Sequence, residues 1–166
     1  IKTVDASGRP QVTWTMVWIN NTNIVGVRAA ISDPIPENTV YQATGASSGF
    51  DVPDGAPDDS TNIGISCTSS PATVTEVCYY EGPTDTYPRG RIIWEGTIAP
   101  DFGITDPALA VNALHIVFNV RTSANIDHLV NRATADVDLN GDDDYEDAGE
   151  TGAVAISRSW TVAVPA

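Results

Sequence analysis

Apolar and polar residues alternate in short runs along most of the chain. In PQVTWTMVWIN, Val12, Trp14, Met16 and Trp18 fall on one face, while Gln11, Thr13 and Thr15 fall on the other. A period of two is the mark of a half-buried strand, because successive side chains of extended backbone point to opposite sides. NNTN breaks that run as a turn, IVGVRAAISD resumes it, and PIPEN ends it, since neither proline can donate to a ladder. TVYQATG reads as a shorter strand, and residues 45–61, rich in Gly, Ser, Pro and Asp, read as a long surface loop. NIGISC and ATVTEVCYY are expected to pair as a hairpin, EGPTDTYPRG to be loop, and RIIWEGTI, NALHIVFNVR, LVNRATADV and GAVAISRSWTVAV to be further strands. PALAVNALHIVF also admits a helical reading. About nine strands at short spacing, separated by turn-rich loops, predict an all-β fold. The expected architecture is an antiparallel Ig-like β-sandwich with long acidic loops rather than a parallel α/β sheet.

Length and composition fit one domain over 1–166. The chain has 166 residues, and 42% of them are apolar, enough for a core. The formal charge is −14. That charge argues against nucleic acid and against anionic membrane surfaces, which would repel the chain. No apolar run approaches the roughly 18 residues of a membrane span, so direct membrane insertion is not expected.

Cys67 and Cys78, in CTSSPATVTEVC, flank a Ser/Pro turn and are expected to form a disulfide closing that hairpin. A disulfide implies an oxidising, extracytoplasmic place; two free thiols would imply a reduced one. With no further Cys or His nearby, zinc is not expected.

ADVDLNGDDDYEDAGE, Ala135 to Glu150, places eight carboxylates in sixteen residues. Such a run is either a solvated acidic loop or a cation site. Against the EF-hand loop pattern, Asp136, Asp138 and Asn140 take positions one, three and five. Gly141 takes the sharp turn at six, Asp142 seven, Asp144 nine and Asp147 twelve. A hard divalent ion wants roughly six to eight oxygens, and alternate residues of a turning loop point inward, so Ca2+ is the expected cofactor. Asp replaces the usual Glu at twelve, and Glu146 or Glu150 would also be within reach. The flanking segments are strands, so this is a lone loop over 136–150. A second acidic stretch, Asp51 to Ser60, lacks the register and reads as solvated.

Catalytic patterns fail on context. GASSG, Gly45 to Gly49, matches a nucleophile elbow, but FDVPDGAPDD follows where a helix is required. His115 and His128 have no motif partners, and no phosphate loop or dinucleotide fingerprint occurs. No enzymatic activity is expected. Asn20 heads an NNT glycosylation sequon.

The segments IKTVD, VTWTMVWINNT, VRAAISDPIPENTVY, IIWEGTIAP, IVFNVRTS and LVNRATADVD, in this order, resemble the conserved repeat domain of bacterial and archaeal surface proteins, the domain of unknown function numbered eleven. The resemblance covers most of the chain. Its departures are a loop-rich insert over 45–90 carrying the cysteines, and one domain rather than a tandem array. It implies an Ig-like sandwich in secreted stalks, adhesins, pili and filaments. Related surface and pilin domains weld themselves by a Lys–Asn isopeptide bond assisted by a buried carboxylate. The matching trio here is Lys2, Asn131 and Asp33, and the bond would tie the first strand to the last. The alternative is an exposed Lys2, a capping Asp33 and a buried Asn131 that is merely hydrogen-bonded.

These observations lead to a non-enzymatic, extracellular structural subunit of a cell-surface filament or stalk, stabilised by calcium. Its partners would be copies of itself or neighbouring surface domains. Strand addition through IKTV or GAVAISRSWTVAV would join them, unless each strand pairs within its own domain. The alternative is an adhesin or carbohydrate-binding module, with Trp14, Trp18, Trp94 and Trp160 as a sugar platform; Trp14 and Trp18 sit on the inward face and read as core.

Overall fold

The computed structural model describes residues 2–5, 11–42, 65–70, 72–122, 128–147 and 154–161; side chains are described for all of these except 2–5, 107, 128 and 154–161. Within them run ten strands. β1 is Lys2–Asp5, β2 Gln11–Trp18, β3 Val27–Pro34, β4 Thr39–Gln42 and β5 Ile65–Ser69. β6 is Val74–Glu81, β7 Arg91–Ile98, β8 Leu114–Thr122, β9 His128–Asp138 and β10 Val154–Thr161. The ambiguous PALAV segment contains one 3-10 turn, Pro107–Leu109, before β8 begins.

The strands form two five-stranded antiparallel sheets. One runs β1-β2-β8, with β4 and β5 both paired to the far side of β8; the other runs β10-β9-β3-β7-β6. Alternation decides what lies between them. Val12, Trp14 and Met16 of β2, Ile116, Phe118 and Val120 of β8, and Ile92 and Trp94 of β7 are all fully buried in one core cluster. Gly96 of β7 faces the same interior beside a bulge in β6 between Thr75 and Val77. A Cβ there would run into the Val74 carbonyl oxygen and the Trp94 ring, so this glycine is required by close approach.

Two expectations are corrected. First, NIGISC and ATVTEVCYY do not pair with one another: β5 joins β8 and β6 joins β7, in different sheets. Second, the insert does not span 45–90, because β5 and β6 are working strands of the sandwich. Opposite β8, Gln42 pairs with Asn119 and Ile65 with Phe118, so β4 and β5 are consecutive in register. Facing is continuous too: Tyr41 packs on the core, and Ile65 and Cys67 are buried. β4 and β5 are thus one strand, interrupted by residues 43–64, which lie outside the described set together with GASSG and the second acidic stretch.

Candidate cross-link site and acidic loop

β3 brings an acidic side chain into the core. Its inward positions run Ile31, Asp33 and then Ile35 just beyond the strand, and Asp33 is completely buried. On β9 the inward row is Leu129, Asn131, Ala133 and Ala135, and Asn131 is buried in the same way. The last β3–β9 pair is Ser32–Thr134. Continued, that register sets Asp33 beside Ala133 and diagonal to Asn131 on the core-facing side. The Asn131 side-chain nitrogen has no hydrogen-bond partner among the described residues. Buried amides are almost always satisfied, so this one needs an explanation. Lys2 sits opposite Met16 on β1, at a register position in the core-facing row of the other sheet; its side chain lies outside the described set. β1 and β10 lie against each other where the two sheets meet along one side. Asn131 is on the penultimate strand, so a Lys2–Asn131 bond would run from β1 to β9, across the sandwich, and not to the last strand.

Along the other side the sheets are already tied. Cys67 of β5 and Cys78 of β6 form a disulfide, with Cα atoms 6.6 Å apart. It is an inter-sheet bond buried in the core, not the closure of a hairpin. The rings of Tyr41 on β4 and Tyr80 on β6 stack beside it at 4.0 Å.

The acidic loop leaves β9 at Asp138, and its hydrogen bonds centre on that residue rather than on Asp136. Asp136 is still a strand residue, paired opposite Ala30. The Asp138 carboxylate accepts from the backbone N–H of Gly141 at 2.6 Å and of Asp143 at 3.0 Å. These N–H bonds, that from Gly141 foremost, hold its pKa below the ordinary aspartate value. Asn140 Oδ1 accepts from Asp142 N–H, and Asp142 Oδ1 from Asp144 N–H. Gly141 adopts the left-handed φ, 81°, that the sequence pattern assigned to it, and Asp143 adopts one of 67° as well. Two left-handed residues, Gly141 and Asp143, therefore follow Asp138, and the backbone hydrogen bonds of the loop converge on Asp138 rather than Asp136. Asn140 Nδ2 donates to Asp142 and, at 2.6 Å, to Asp147. Among the described residues, no three carboxylate, His or Cys side chains converge as a ready metal site. The donors are nonetheless all oxygens of the kind a hard cation takes. Arg28 anchors the loop to the sheet, reaching Glu76, Glu95 and Asp143.

Asn20 does not suit glycosylation in the folded chain. It is buried, its Nδ2 donates to the carbonyls of Ile24 and Ile98, and its Oδ1 accepts from Thr22. Trp14, Trp18 and Trp94 are buried, which removes three of the four rings from a sugar platform; the Trp160 side chain lies outside the described set.

Solved structures with the same arrangement include the collagen-binding domain of a Staphylococcus aureus adhesin, at TM-score 0.50 and 13% identity, covering 95% of this chain and 93% of that one. The fold is shared with bacterial surface-adhesin domains. A second match is the collagen adhesin (CNA) of S. aureus, at TM-score 0.50 and 13% identity, over 96% of this chain and 47% of that one. A weaker likeness, at TM-score 0.45 and 15% identity, over 97% of this chain and 56% of that one, is to the backbone protein of the group B streptococcus pilus 2b. No protein-family model matches the chain, the surface-protein repeat included, and no curated protein matches it.

Proposed function

We propose that this chain is a non-enzymatic structural unit of an extracellular surface protein, built to keep its two sheets together under load. The observation that carries the reading is the buried pair Asp33 and Asn131, with an amide nitrogen that has no partner among the described residues. In the proposed reaction the neutral Lys2 amine attacks the Asn131 side-chain carbonyl carbon. A C–N bond forms, the C–NH2 bond breaks and ammonia leaves. Asp33, as a neutral carboxyl, polarises the amide and shuttles the proton. Burial favours the neutral forms of both the acid and the amine. The disulfide along one side and the isopeptide along the other would then close the sandwich at both. The test is the mass of the denatured chain: short by one ammonia in the wild type, and at the full value in D33N.

Calcium belongs to the same reading. Asp138, Asn140 and Asp142, with the carbonyl of Asp144 and a carboxylate from Asp144, Glu146 or Asp147, would supply the oxygens. The ion would offset the mutual repulsion of the loop's carboxylates. The second reading, a ligand-binding adhesin module, draws on the collagen-binding neighbour in fold; saturable binding of the purified chain to immobilised collagen would favour it.

A further inference from the structure

Asn140 is the only asparagine of the chain that is followed by a glycine. The main-chain nitrogen of a residue lies only a few bonds from the side-chain carbonyl of an asparagine before it. Attack of that nitrogen on the amide carbon closes a small ring, and the covalent connection keeps the two within reach. Glycine in the second place leaves the nitrogen uncrowded, because it carries no Cβ and has the widest choice of backbone conformation. Here Asn140 and Gly141 are both exposed in the acidic loop, and Gly141 uses that freedom at a φ of 81°.

The folded loop supplies a partner for each atom that would change. The attacking nitrogen is that of Gly141, and its N–H donates to Asp138 Oδ1 at 2.6 Å. Asp138 is itself held in place, buried at the end of β9 and accepting a second bond from Asp143 N–H. Charge gathers on Asn140 Oδ1 as its carbonyl is attacked, and that oxygen accepts from Asp142 N–H at 3.0 Å. A backbone donor at this distance is what an oxyanion hole provides. The leaving group is Asn140 Nδ2, which donates to Asp147 Oδ2 at 2.6 Å and to Asp142 Oδ2 at 3.1 Å. A carboxylate on the nucleophile's proton, a donor on the carbonyl oxygen and carboxylates on the departing nitrogen are the parts of an acyl-transfer site.

We propose that Asn140 is a self-processing site, at which the folded loop promotes its own deamidation. Gly141 nitrogen bonds to Asn140 Cγ while Asp138 takes the N–H proton. The Cγ–Nδ2 bond breaks, and Asp147 passes a proton from water to the departing nitrogen, which leaves as ammonia. Asp138 returns its proton to water, so the net change in this step is the loss of ammonia and the closing of a succinimide. Water then opens the ring at either carbonyl, giving an aspartate or an isoaspartate at position 140. Either product removes the Nδ2 donor that joins Asp142 to Asp147 and sets a further carboxylate among them. The inference goes beyond the structural reading of the chain and rests on neither its cross-link nor its calcium.

The experiment follows the mass of the tryptic fragment 133–158 in the purified chain, aged at neutral pH both folded and in urea, with a chelator present to keep divalent ions off the loop. Asn140 is the only side-chain amide in that fragment, and Lys2 and Asn131 lie outside it, so deamidation and the cross-link are read separately. The expected result is replacement of the amide NH2 by OH, about tenfold or more faster in the folded chain than in urea. Fragmentation is expected to show both aspartate and isoaspartate at position 140. D138A is expected to lower the folded-to-urea rate ratio about tenfold, and D147A, at an exposed site that keeps the fold, to lower it in the same direction. A folded chain that converts no faster than the chain in urea overturns the proposal, because the Asn–Gly pair alone would then account for the chemistry. So does a ratio unchanged in both D138A and D147A.

Discussion

At the scale of single residues, two positions can be tested directly. Asp138 has a depressed pKa because backbone N–H groups of its own loop hold the ionised carboxylate. Its contribution is therefore present above the unfolded pKa and lost as pH falls through the lower, folded one. An NMR titration of the Asp138 carboxyl is expected to place it below the ordinary aspartate value, and D138N is expected to remove this residue's share of the acid-dependent loss of stability. Gly96 is expected to tolerate no Cβ: G96A should cost about 1–3 kcal/mol in denaturant unfolding, since the Val74 carbonyl and the Trp94 ring must both move. Asn131 was readable from the sequence as a buried residue, because it shares a period-two face with Ala133 and Ala135. Its missing amide partner was not, since that depends on which strands of both sheets surround it. Asp138 shows the reverse case. The acidic motif was visible, but the hydrogen bonds that converge on Asp138 were not, because they depend on two left-handed residues, Gly141 and Asp143, of which only the glycine shows in the sequence.

At the scale of elements, alternation located nearly every strand, because both sheets bury one face and expose the other. What it did not determine was partnership. The cysteine segments are neighbours in sequence and each alternates properly, so a hairpin was the natural reading. The outcome depended instead on the empty half of β8, which β4 covers only from Asn119 to Thr122 and which β5 completes. Two predictions follow from that arrangement. Joining Gln42 directly to Ile65 should preserve the sandwich, since pairing and facing are continuous across the junction; a circular dichroism spectrum and a cooperative melt like the wild type's would show it. Replacing Cys67 and Cys78 by alanine should lower stability by about 2–4 kcal/mol, measured by denaturant unfolding, because the bond limits the unfolded chain and here also joins two sheets.

At the scale of the whole molecule, the sandwich is closed by a disulfide along one side and has a buried Asp–Asn pair toward the other, with the acidic loop at one end. Composition already argued against nucleic acid, but the placement of the acidic loop at one end of the sandwich required the strand directions. Calcium is expected to raise the melting temperature, by an amount corresponding to about 2.7 kcal/mol at one hundred times its dissociation constant, with D142N blunting the effect. The central claim is the covalent tie across the core, and the most direct measurement is the intact mass of the denatured chain, reduced and non-reduced. The account predicts a reduced mass short of the sequence value by one ammonia, restored to the full value in D33N and in K2A. A reduced wild-type chain at its full sequence mass would contradict it.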